Sequence, residues 1–260
     1  MSISAAPALR SLGDMSISEA AGLPGLVLLQ HVTVSDVDLA RATFERIAPT
    51  ACTFERCDFR TVTLDRRLQP LFKARHRNVF RECRFEGADL RSIDPGASRF
   101  EKCVFDGADI SGWSAATAEF VDCRFAGRVE HVRFYARPWG PLASEIEPRR
   151  TVNEFRGNDF REAEMVDVAF LMGIDIGKQR WPEGDEYVRL DRIHQRLTRG
   201  RSEILQWKDL EERGEALEMV QQLSFLYMQQ NEVVARRAEP GRRAQPDVQH
   251  RVWQALARAV

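Results

Sequence analysis

Large apolar residues in this chain fall at steps of five. Val34, Leu39, Phe44, Phe54, Phe59 and Leu64 form one run. Phe80, Phe85, Leu90, Phe100, Phe105, Ile110, Phe120 and Phe125 form a second, and Phe155, Phe160, Met165 and Phe170 resume the phase. Two positions before most of them stands a small or medium residue, as at Val37, Cys57, Asn78, Cys83, Ala88, Cys103, Ala108, Cys123, Asn153, Asn158 and Val168. An α-helix repeats at 3.6 residues and a strand at 2, so a period of five buries no single face of either. It fits a chain that turns a corner every five residues and closes a four-sided coil every twenty. Each side then points one large and one small side chain inward and its polar residues outward. No such coil has a core until a neighbour stacks on it.

Reading the coils as columns predicts which residues stack. One side collects Val34, Phe54, Phe80, Phe100, Phe120 and Phe155, and the next Leu39, Phe59, Phe85, Phe105, Phe125 and Phe160. The third holds Phe44, Leu64, Leu90, Ile110 and Met165, with a defect near Val129–Glu130. The fourth is degenerate, with Pro49, Pro95, Ala115, Phe134 and Phe170. Two interruptions break the phase near that fourth side. Sixteen residues separate Leu64 from Phe80 where ten are expected, which places an insertion at 66–77. Phe134 and Phe155 are twenty-one apart where five are expected, which places a larger one at 135–153.

The steps GADLR at 87–91, GADIS at 107–111, CDFRT at 57–61 and NDFRE at 158–162 resemble the pentapeptide-repeat family over about residues 31–177. The resemblance implies a mainly β protein, a right-handed quadrilateral β-helix of about six to seven coils. Residues 1–30 are then an N-terminal extension and cap, and MSIS occurs twice there, at 1–4 and 15–18.

After FLMGIDIGKQRWPEGDEY (170–187) the period becomes helical, so 186–260 reads as an α-helical C-terminal module. Leu190, Ile193 and Leu197 fit one helix, and Ser202 is placed to cap a second through Ile204, Leu205, Trp207 and Leu210. Leu217, Val220, Leu223 and Tyr227 make a stripe on a third, over Ala216–Arg236. RRAEPGRRAQP (236–246) reads as a linker, after which Asp247 is placed to cap a last helix. Val248, Val252, Trp253, Leu256 and Val260 give that helix an apolar face, read as a self-association surface or, equally, as a lid on the same chain. In some relatives a C-terminal helix pairs two copies end to end, so a homodimer is one expectation.

Charge excludes some functions. The net charge is −1, and residues 31–180 carry 24 acids and 24 bases, so bulk charge gives neither a basic grip on nucleic acid nor an acidic mimic of it. Of the 38 basic residues 34 are Arg, which suits bidentate surface pairing. The longest apolar run is LPGLVLL at 23–29, short of the ~18–20 residues of a membrane span, and no secretory signal pattern opens the chain. Five cysteines without a CxxC pair point to free thiols in a reducing compartment, here the cytoplasm. Four of them, Cys57, Cys83, Cys103 and Cys123, share one column, and a row of thiols cannot converge tetrahedrally on zinc. Stacked Cβ atoms also stand farther apart than the ~3.5–4.5 Å of a disulfide. No nucleophile motif, G-x-G-x-x-G or P-loop is present. The aspartates of the GAD steps read as turn caps. No metal or cofactor is expected, and no enzyme.

Function is therefore sought on the loops of a rigid scaffold. The larger insertion offers Arg137, Trp139, Glu145, Glu147, Arg149 and Arg150, and the smaller Phe72, Lys73, Arg75 and Arg77, as partner-binding residues. The first reading is a non-catalytic protein-binding scaffold using these loops and the helical tail. The second comes from the resemblance: some relatives mimic duplex DNA in width and charge, bind type II topoisomerases such as DNA gyrase, and protect them from inhibitors. That reading requires an acidic stripe on one coil face. A third, a ligand-binding or enzymatic role for Glu211, Glu212, Glu215 and Glu218 in the tail, is weaker, because these fit a solvated helix face.

Overall fold

Val34, Phe54, Phe80, Phe100, Phe120 and Phe155 stand one above another as direct partners in a six-stranded, all-parallel ladder. The column read from the five-residue phase is thus a physical stack. The computed structural model describes residues 26–40, 46–64, 71–74 and 76–259. Residues 1–25 of the expected extension and cap at 1–30, Phe44, residues 66–70, Arg75 and Val260 lie outside them.

The second column forms as well. Rings of Phe59, Phe85, Phe105, Phe125 and Phe160 lie face on face, with successive centroids 4.8, 4.9, 5.1 and 4.6 Å apart. These spacings match the distance between hydrogen-bonded strands, so strand pairing and ring stacking are satisfied together. Each ring is fully or almost fully buried, and burying one stabilises by about 2–3 kcal/mol before ordering entropy is subtracted. On the third side, Leu64 and Leu90 donate their amides to the carbonyls of Asp89 and Asp109. The expected defect is absorbed there, because Val129 takes the inward place and pairs with Met165. On the fourth side Ala115, Phe134 and Phe170 are paired in register.

Corners stack too. Asp36, Arg56, Glu82, Lys102 and Asp122 all adopt left-handed backbone, with φ between 50° and 58°. Side chains disfavour that region by about 1 kcal/mol or more. Each of these corner amides donates to a carbonyl of the following coil, so the stack holds the conformation.

All five cysteines are buried and free, and four of them, Cys57, Cys83, Cys103 and Cys123, fill one small-residue column. The Sγ of Cys57, Cys83, Cys103 and Cys123 each lies 3.3–3.4 Å from a carbonyl of the preceding coil. Burial holds the Cys103 thiol well above its ordinary pKa.

Three α-helices follow: α1 (Ile193–Ile204), α2 (Leu210–Leu226) and α3 (Pro246–Arg258). Leu190 is not helical. It ends a strand, Tyr187–Leu190, that pairs antiparallel with Val233–Arg236, inside the expected third helix and linker. Ser202 lies within α1, and Asp209 caps α2 instead, accepting from the amides of Glu211 and Glu212. Asp247 sits in the first turn of α3, whose N-cap is Gln245. The stripe Val248, Val252, Trp253 and Leu256 is buried in a second core with Ile193, Leu197, Ala216 and Val220. These side chains are therefore buried within the chain and not on its surface. The physical reason is that α1 and α2 supply the apolar faces that cover them.

The module seals the last coil. Trp181 lies on Phe160, the Tyr187 hydroxyl accepts from the Met165 amide at 3.0 Å, and the Gln230 side chain bonds the amides of Gly173 and Ile174 and the Ile174 carbonyl. An open ladder edge invites edge-to-edge pairing, and these groups occupy it.

Candidate functional site

The two insertions meet. His76 and Glu147 form a parallel bridge, the Arg77 amide donates to the Glu147 carbonyl at 3.1 Å, and His76 Nδ1 lies 3.4 Å from the Glu147 carboxylate. The chain thus brings together, on one side of the stack, segments some seventy residues apart in sequence.

Each insertion is pinned where it rejoins its coil. Asn78 accepts from the Cys52 amide and donates to the carbonyls of Pro49 and Leu71, each near 3.0 Å. Asn153 donates to the carbonyls of Ala116 and Tyr135 at 3.0 Å. Both asparagines occupy the small-residue column and satisfy backbone groups that the interrupted ladder leaves open. An Asn in place of Cys or Ala was the sequence signal for these latches.

Phe72 is a correction. It is fully buried, edge-on to Phe80 and Phe100 with centroids 5.1 and 5.4 Å away. It fills the degenerate fourth side, where the coil itself supplies no large residue, so it belongs to the core and not to a binding surface. Gly96 makes room for it: a Cβ there would lie 2.7 Å from the Phe72 carbonyl oxygen.

Arg77 and Arg150 also turn inward. Glu119, buried at 4% exposure, holds Arg77 in a short ion pair and has Arg99 at 3.5 Å and Arg150 at 3.8 Å. Arg150 also donates to the Thr117 carbonyl, and burial lowers its pKa. Glu119 thus anchors both insertions, a role the sequence did not reveal. Its only mark was a lone acid within ATAEFV (116–121).

The remaining candidates stay outside. Trp139 is 56% exposed although its amide is tied to the Ala116 carbonyl at 3.1 Å. Arg137, Glu145 and Arg149 are exposed beside it on the same loop, which the buried Ile146 pegs to the body. Lys73 is exposed on the smaller insertion, and Glu147 is half-buried.

Along three coil sides arginines bridge acids of successive coils. On the first side Arg81 bridges Glu55 and Glu101 at 2.7 and 2.9 Å, and Arg99 bridges Glu101 and Glu154 at 2.5 and 2.7 Å. On the second Arg124 bridges Asp106 and Glu162, and on the third Arg91 bridges Asp89 and Asp109. Guanidinium and carboxylate are thus interleaved on these three sides. No group of His, Cys, Asp or Glu that could hold a metal ion occurs among the described residues. None of their helices is long and apolar enough to cross a membrane.

No family model matches the sequence, and no curated protein matches it. Among solved structures, two trypsin-treated forms of QnrB1, a plasmid-mediated fluoroquinolone resistance protein, are similar at 15% identity. The match covers 59% of this chain and 77% of QnrB1 in one form, with a TM-score of 0.22, and 60% and 79% in the other, with a TM-score of 0.20. HetL, a pentapeptide-repeat protein involved in heterocyst differentiation regulation in the cyanobacterium Nostoc, is 10% identical over 64% of this chain and 88% of its own, with a TM-score of 0.18. The chain is similar to pentapeptide-repeat proteins, and its own five-residue phase and stacked phenylalanine ladders carry that likeness.

Proposed function

We propose that this chain is a non-catalytic protein-binding scaffold built on a right-handed quadrilateral β-helix of six to seven coils. Its partner-binding surface is the paired insertions, centred on Trp139 and flanked by Arg137, Glu145, Arg149 and Lys73. The observation that carries this reading is an aromatic side chain left 56% exposed on a loop whose base is fastened by Asn153, Arg150 and Ile146. A tryptophan held in place loses little entropy on binding, and with an adjacent arginine it has the chemistry of an interface hot spot. The five buried free thiols favour a reducing compartment, the cytoplasm. DNA gyrase as the partner finds no support in the interleaved charges of three coil sides. Direct binding of nucleic acid is not expected, nor is a cofactor.

The test is a photoreactive phenylalanine analogue placed at position 139 in cells, with position 102 on an exposed corner as control. The proposal expects one discrete protein adduct from 139, lost in an Arg149→Glu background and absent from 102. No adduct from 139, or the same adduct from both positions, overturns it.

A further inference from the structure

Trp139 is not the only large apolar side chain left outside. Val152 is 57% exposed and Met228, just beyond α2, is 61% exposed. A single exposed apolar residue is unremarkable, but several along one edge mark an interaction surface.

Backbone bonds put the larger insertion and the end of α2 on one corner of the stack. Ala115, Phe134 and Phe170 are stacked on the fourth side, and the chain turns the corner just after each of them. At the first level the Trp139 amide donates to the Ala116 carbonyl at 3.1 Å. At the second the amide of Asn153, the residue after Val152, donates to the Ala136 carbonyl at 2.8 Å. At the third the amides of Gly173 and Ile174 donate to the side chain of Gln230, two residues beyond Met228. Stacked coils are ~4.8 Å apart, so the three levels span about 10 Å along the corner.

Charge along this corner is uneven. The larger insertion exposes Arg137 and Arg149 against one exposed carboxylate, Glu145. The far end is uncharged, with Gln229, Gln230 and Asn231 following Met228.

We propose that the corner docks one continuous segment of the partner protein, apolar where it crosses Trp139, Val152 and Met228 and acidic at the end that meets Arg137 and Arg149. Complementary charge sets the direction of the segment, and the exposed apolar side chains supply the contact. The docking corner extends the Trp139 surface proposed above and rests on it.

The photoreactive phenylalanine analogue is placed in the full chain in cells at position 139 or at position 228, with position 102 as control, and the joined peptides are sequenced by mass spectrometry. Positions 139 and 228 are expected to join the same protein within one segment, with acidic residues at the 139 end and apolar residues between the two sites. Val152→Asp is expected to lower both adducts about tenfold, and circular dichroism confirms that this variant folds, since Val152 is exposed. An adduct from 139 with none from 228, or 228 joined to a different protein, overturns the extended surface and leaves the Trp139 reading standing. No adduct from 139 overturns both. Adducts unchanged by Val152→Asp, a basic segment at the junction, or a segment from a second copy of this chain also overturn the proposal.

Discussion

Trp181 lies flat on Phe160, with ring centroids 5.3 Å apart and planes within 11° of parallel. The phenylalanine column that starts at Phe59 therefore ends on an indole, not on water. The Trp181 indole N–H is satisfied by the Ile176 carbonyl at 2.8 Å, so the ring closes the stack without leaving a buried donor unpaired. Trp181→Ala is expected to lower stability by about 3–5 kcal/mol. It should also raise amide exchange at residues 155–160, measured by hydrogen–deuterium exchange. Exchange there unchanged from the parent would show that the tryptophan does not seal the coil.

Gly96 and Gly112 make a matched pair. Both have left-handed backbone, with φ of 55° and 80°. A Cβ at Gly96 would lie 2.6 Å from the Lys73 Cα, whereas one at Gly112 meets nothing within 4 Å. Gly112→Ala should cost about 1 kcal/mol, the conformational term alone. Gly96→Ala should cost about 1–3 kcal/mol more, because the 71–74 segment must shift and Phe72 with it. Equal losses in urea denaturation would mean that the insertion is not packed on Gly96.

The cysteines should be silent until the fold opens. All five are buried, and a thiol must be reached by the reagent to react. Ellman's reagent at pH 8 is expected to find no reactive thiol in the native chain and five in denaturant. Rapid reaction of a native thiol would contradict the small-residue column.

Acid should weaken the wall at Asp159. Its hydrogen bond from Arg161 lowers the carboxyl pKa to about 2, against about 3.9 for an unfolded Asp. A depressed folded-state pKa contributes stability that is complete above about pH 4 and lost as pH falls through about 2. With allowance for solvent screening, the contribution is about 1–2 kcal/mol. Asp159→Asn should therefore melt below the parent at pH 7, with the gap closing between pH 4 and pH 2. A gap independent of pH would assign the loss to packing instead.

How much of this was legible in advance depends on locality. The columns through Phe54 and Phe85 were readable because each coil repeats the same corner, so one phase error would have scrambled every later step. Phe72 was not, because an insertion breaks the phase and nothing local marks its ring as the plug for a side that lacks one. The stripe Val248–Leu256 announced an apolar face but not its cover, which comes from α1 and α2 many residues away. The strand pair Leu190 to Val233 depends on contacts across two helices and carries no local signature. At the site, Trp139 and Arg149 were found where an exposed loop was expected. Arg77 and Arg150 were drawn inward by Glu119, whose burial is set by three-dimensional neighbours alone.

Residues twenty apart stand as vertical neighbours in the stack. The direct measurement is aromatic proton Overhauser spectroscopy on protein carbon-labelled only at phenylalanine. Cross-peaks are expected to link Phe85 to Phe105 and Phe105 to Phe125, whose centroids are 4.9 and 5.1 Å apart, and Phe80 through Phe100 to Phe120, with edge contacts such as Phe100 to Phe105 at 5.5 Å joining the two columns. Rings that show contacts only to sequence neighbours, with none across twenty residues, would contradict this stacking.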